Sequence, residues 1–85
     1  MAWTVIVAKA APKQTARFPA KDQAKIKAGI GTMADDPFIG DVLKLEGENS
    51  RWRRRIGNYR IFFSVDTVAR KVEVSAIVRR TSNTY

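Results

Sequence analysis

The sequence predicts an α+β fold, with an N-terminal strand and a helical hairpin packed on one face of a small antiparallel sheet. Three observations carry this. A β-branched and aromatic run, "WTVIVA", occupies Trp3 to Ala8. Ile26, Ile30 and Met33 follow at i, i+4, i+7, one stripe of a helix. The second half then reads as all β, three strand runs divided by turn residues.

The first strand is almost continuously hydrophobic, so it is expected to be covered on both faces or to have one helix-covered face. Pro12 suits the first turn of a helix, and Pro19 breaks the hairpin at Phe18-Pro19. Gly29 and Gly31 weaken the second helix by about 1 kcal/mol each relative to alanine, so it needs tertiary packing. Pro37 ends it after Asp35 and Asp36. Residues 38–50 read as loop, with turn residues at Gly40, Gly47 and Asn49 and with Val42, Leu43 and Leu45 pinning it to the core. "RWRRRI" and "YRIFFSVD" form a hairpin about Gly57-Asn58. Thr67 to Arg70 turn again, "KVEVSAIV" is the last strand, and "RRTSNTY" is a polar tail.

Alternation assigns faces. Tyr59, Ile61, Phe63 and Val65 share one, and Arg60, Phe62, Ser64 and Asp66 the other. Trp52, Arg54 and Ile56 oppose Arg51, Arg53 and Arg55. In the last strand Val72, Val74, Ala76 and Val78 oppose Glu73, Ser75, Ile77 and Arg79. If one sheet face packs on the helices, Arg51, Arg53, Arg55 and Arg60 gather on the other.

The chain of 85 residues is read as one domain, 1–85. It has no cysteine and no histidine, which excludes disulfides, thiolate nucleophiles and histidine as base or metal ligand. Asp35, Asp36, Asp41, Glu46 and Glu48 are expected in loops, without the clustering of a metal or acid–base site. The start lacks a basic leader and a cleavage site, and no run approaches the roughly 20 apolar residues of a membrane span, so a cytoplasmic protein without a membrane partner is expected. Sixteen Lys+Arg against eight Asp+Glu give a net charge of +8, which favours polyanionic partners.

The charge is concentrated in "RWRRRIGNYR", which holds five arginines and no lysine. Lysine would serve solubility equally well. Arginine grips phosphate bidentately and stacks on bases; Trp52 and Tyr59 lie between the arginines and Phe62 just beyond them, although Trp52 and Tyr59 are expected to be structural. Such a face can cleave RNA without a cofactor. The 2′-hydroxyl is the nucleophile, and the protein holds it in line with the phosphate and stabilises the developing charge.

The order of these segments resembles the RelE/ParE superfamily of bacterial toxin–antitoxin toxins. The resemblance spans the apolar first strand and helical hairpin, then "DDPFIGDVLKLEG", "RWRRRIGNYRIFFSVD" and "VEVSAIVRRTSNTY". Within these lie a helix end at Asp-Pro, a Lys-Leu-x-Gly turn, a Gly-x-Tyr-Arg motif, a basic-Arg pair and a terminal tyrosine. It implies a RelE-like fold and a ribosome-dependent endoribonuclease that cuts mRNA in the ribosomal A site without a metal. Carried over, the catalytic set is Arg53, Arg55, Arg60, Arg80 and Tyr85. Arg53 and Arg55 stand where the family often has lysines, and arginine holds its proton far more firmly.

For the C-terminal arginine, counting from Ile77 selects Arg80, whereas strand alternation and the six-residue step from Tyr85 select Arg79. Arg80 is taken as catalytic, and Arg79, Arg51, Arg54 and Lys44 as RNA contacts. The implied partners are a RelB-like antitoxin, in a hetero-oligomer, together with the ribosome and mRNA. A ParE-like inhibitor of DNA gyrase shares the fold, as would an inactive relative that only binds antitoxin or RNA.

Overall fold

A computed structural model describes residues 2–45, 47 and 51–79. Its elements are β1 (Thr4–Val7), α1 (Ala10–Thr15), α2 (Ala20–Thr32), β2 (Asp41–Lys44), β3 (Arg51–Ile56), β4 (Tyr59–Asp66) and β5 (Lys71–Arg79). The strands form one sheet in the order β1-β5-β4-β3-β2. The architecture is α+β as expected, but the sheet is mixed rather than antiparallel, because β1 runs parallel to β5. That pairing joins residues some 67 positions apart, Thr4 with Lys71, and local pattern cannot reveal it.

The helices pack on a single sheet face. Ala11, Ile26 and Met33 bury against Tyr59, Ile61, Phe63, Val65, Val72, Val74 and Ile77. The second helix supplies little of its own stability: Gly29 is buried where a β-carbon would collide with the Ile56 side chain, so glycine here permits close approach of α2 to β3. Gln23 Nε2 donates to the Phe18 carbonyl at 2.8 Å and holds the turn between the helices. The second helix ends at Thr32, before the stretch that leads to buried Pro37.

The central strand β4 alternates as its sequence requires, with Tyr59, Ile61, Phe63 and Val65 buried. It joins β3 through a two-residue turn. Gly57 has φ +58° and Asn58 is not in the left-handed region, the pattern of a hairpin with glycine at the first turn position. Residues expected to be loop contain a strand: β2 pairs antiparallel with β3 from Asp41↔Arg55 to Lys44↔Trp52. Of the covers expected for β1, only part of one face is found: Val5, paired with buried Val72, is half-buried against the core, while Val7 on the same face is 40 % exposed and Ile6 on the opposite face 43 %.

The face assignment of β5 needs correction. A bulge falls where Phe62 pairs with Ala76 but Phe63 pairs with Val74. Ser75 is the extra residue, and its Oγ donates to the Phe62 carbonyl at 3.1 Å. Beyond it the alternation inverts, so Ile77 is buried and Val78 exposed. No helix among the described residues is long and apolar enough to cross a membrane.

Candidate functional site

The sheet face away from the helices is built by register. One row runs Asp41, Arg55, Arg60, Val78 and the next Leu43, Arg53, Phe62, Ala76. A third holds Arg51, Ser64 and Glu73. None of these residues is buried. Cross-strand neighbours on one face lie about 4.5–5.5 Å apart at Cβ, so Arg55 and Arg60 are side by side on adjacent strands and Arg53 is one row away. The structure thus brings together Arg51, Arg53, Arg55 and Arg60.

The arginines differ in their surroundings. Arg55 Nε lies 3.0 Å from Asp41 Oδ2. Arg60 Nε is shielded from solvent and has no hydrogen-bond partner among the described residues. Arg53 is half-buried on the same row as half-buried Phe62. A guanidinium with unused donors on a face with a half-exposed aromatic ring can take a phosphate and a base together.

Arg54 points the other way. Its Nη1 donates to the Gly29 carbonyl at 2.8 Å and to Thr32 Oγ1 at 2.9 Å, at the C-terminal end of α2 where a cation is favoured. Gly40, with φ +87°, passes so close that a β-carbon there would lie 3.1 Å from Arg54 Nε. Burial lowers the Arg54 pKa from the ordinary arginine value. In this position Arg54 ties β3 to α2. Replacing it with alanine should lower stability by about 1.5–3 kcal/mol, the worth of hydrogen bonds to a charged group. Urea unfolding of Arg54→Ala checks this.

Lys44 also lies on the helix side, its Nζ 5.8 Å from the centre of the Trp52 ring. Trp52 in turn packs edge-on to Phe38 at 4.8 Å, a structural setting. Arg79 is paired with Tyr59 across β4 and β5, hence on the helix side, where it lines a groove of about 360 Å³ with Lys13, Gln14, Arg17 and Phe18. The bulge at Ser75 therefore removes the alternation that favoured Arg79 for the arginine face. Arg80 and Tyr85 lie outside the described residues.

Tyr59 is buried and its hydroxyl donates to Asp22 Oδ2 at 2.6 Å. That hydrogen bond, then burial and the Asp22 charge, raise its pKa above the ordinary tyrosine value, and Arg79 opposes the shift. A raised folded-state pKa means the stabilisation is fully present below the unfolded value near 10 and is lost as pH rises through the folded value. Wild type should melt above Tyr59→Phe at pH 8, and the difference should vanish toward strongly alkaline pH. Equal melting at pH 8 would show that the hydrogen bond contributes nothing.

Sequence inspection missed Asp41 as a member of this face, because a four-residue strand carries too little alternation to announce itself. The only signal was "DVLK" after Gly40, with Asp41 and Leu43 in phase. Among the described residues, no three His, Cys, Asp or Glu side chains converge as a metal site would need.

With this geometry in place, solved structures identify the fold as that of the RelE toxins. The chain is similar to the archaeal RelE–RelB complex from Pyrococcus horikoshii, with 23% identity, 98% of this chain and 100% of that chain covered, and a TM-score of 0.86. It is similar to the isolated RelE toxin of E. coli, at 17% identity, 96% and 88% coverage and a TM-score of 0.79. It also resembles a YoeB/ParE toxin from Agrobacterium tumefaciens, at 20% identity, 92% and 99% coverage and a TM-score of 0.73. No family model and no curated protein matches the sequence.

Proposed function

We propose that this chain is the toxin of a type II toxin–antitoxin system and acts as a ribosome-dependent endoribonuclease on mRNA in the ribosomal A site. The observation that carries the reading is the placement of Arg53, Arg55 and Arg60 on one uncovered sheet face of a RelE fold. In the proposed reaction the 2′-hydroxyl attacks the adjacent phosphorus and the bond to the 5′-oxygen breaks. The products are a 2′,3′-cyclic phosphate and a 5′-hydroxyl. Arg53, Arg55 and Arg60 hold the phosphate and stabilise charge on its oxygens, the role that permanently protonated guanidiniums fill best. Removing the 2′-hydroxyl proton and protonating the leaving oxygen fall to groups beyond the guanidiniums, with Tyr85 the candidate, and Arg80 adds a further cation for the phosphate. The cognate antitoxin is a RelB-like protein, and the setting is the cytoplasm.

Induced expression followed by mapping of mRNA 5′ ends tests this. Cuts inside translated codons are the expected result, and intact mRNA in arrested cells would refute it. The resemblance to a YoeB/ParE toxin supports a second reading, gyrase inhibition. A DNA-damage response with unbroken mRNA would select that one.

A further inference from the structure

We propose that Asp41 is an intramolecular competitor of RNA on the arginine face: it occupies Arg55 and sets how many phosphates the face can grip. The inference rests on the reading of that face as an RNA site. Asp41 lies directly across from Arg55 in the β2–β3 register, and the Oδ2–Nε separation is 3.0 Å. Both side chains are 48% exposed, so the pair is within reach of an incoming strand. Arg53 and Arg60 have no ion pair among the described residues. The other carboxylates on this face are distant, since Glu73 is two rows from Arg55 and Asp66 is beyond it.

The row explains why an acid belongs there. Arg55 and Arg60 are direct cross-strand neighbours, and like charges so placed repel. Asp41 on the far side of Arg55 offsets this repulsion in the free protein. A phosphate can take over that task, because it accepts from the same guanidinium and does so bidentately. Exposed carboxylate–arginine pairs are weak and screened by salt, so the exchange is easy. With Asp41 present the face has Arg51, Arg53 and Arg60 ready and a fourth arginine, Arg55, that must first be released.

The experiment measures binding of a fluorescein-labelled 12-nucleotide oligouridylate to the full chain across a salt series. Asp41→Asn should bind about three- to fivefold tighter at low salt, the scale of one exposed ion pair. Its log K against log salt line should steepen by about 0.7, the increment for one more neutralised phosphate on a single strand. In an Arg55→Ala background the same change should give no gain. Thermal melts confirm that each variant is folded, and Asp41→Ser repeats the test with a different side chain. A gain that persists without Arg55 would reduce Asp41 to one unit of net charge and overturn the proposal. An unchanged affinity and slope in Asp41→Asn would overturn it too, while leaving the RNA site intact. Absence of any binding by wild type would overturn the RNA reading itself, and the role of Asp41 with it.

Discussion

Arg60→Ala should abolish growth arrest and lower mRNA cleavage by about 10²–10³-fold, the usual effect of losing one donor that stabilises transition-state charge. The reasoning starts from position. Arg60 is on β4, the middle strand of the five, with Arg55 on one side and Val78 on the other. Arg53 and Arg55, by contrast, lie on β3, one strand from the edge. A phosphate centred on this face meets Arg60 first. Its Nε is shielded and has no hydrogen-bond partner among the described residues. Truncation therefore removes no internal hydrogen bond found among the described residues, and the melting temperature should stay within a few degrees of wild type. Arg60→Lys separates charge from geometry. It keeps the positive charge but loses the planar fork, so it should recover only part of the activity. The measurement is primer extension on a translated message, with protein level controlled. Undiminished cleavage by Arg60→Ala would remove Arg60 from the mechanism.

How far the sequence revealed this face depends on which residues are considered. The division of β3 and β4 was legible, because β4 carries its alternation over eight residues and a turn that glycine marks fixes the phase of β3 against it. Arg53, Arg55 and Arg60 could therefore be placed together before any coordinates. The same rule failed on β5. "KVEVSAIV" alternates only as far as Ser75 and ends in three apolar residues, so counting alone could not say which of them faces inward; its pairing with β4 inserts one residue at Ser75 and turns Ile77 inward. The bulge is fixed by the partner strand and by the Ser75–Phe62 hydrogen bond, neither of which is local to the segment. Arg54 illustrates a further limit. Its face could be counted, but its partner is a backbone carbonyl 25 residues away, and backbone groups leave no mark in a sequence. The parallel contact of β1 with β5 was hidden for the same reason: both runs read as strands, and nothing in either names the other.

Phe63→Ala should destabilise the protein by about 3–5 kcal/mol, the range for deleting a fully buried aromatic side chain. Phe63 is the largest fully buried side chain among the described residues, at 0 % exposure, and it lies on the same strand as Arg60 but on the opposite face. Total stability at roughly 0.05–0.15 kcal/mol per residue is only about 4–13 kcal/mol for a chain of this length. The loss should thus lower the melting temperature by about 12–40 °C, at 4–8 °C per kcal/mol for domains of this size. The rigid middle of the sheet depends on it, because β4 orients Arg60 outward only while its inward residues are packed. Cells expressing Phe63→Ala should grow, as should those expressing Arg60→Ala, but the soluble folded fraction should fall only in the former. Cleavage per folded molecule at low temperature should then be near wild type for Phe63→Ala and lowered about 10²–10³-fold for Arg60→Ala. If Phe63→Ala melted within a few degrees of wild type, the core would lie elsewhere. The alternation that sends Arg60 to the open face would then lose its physical basis.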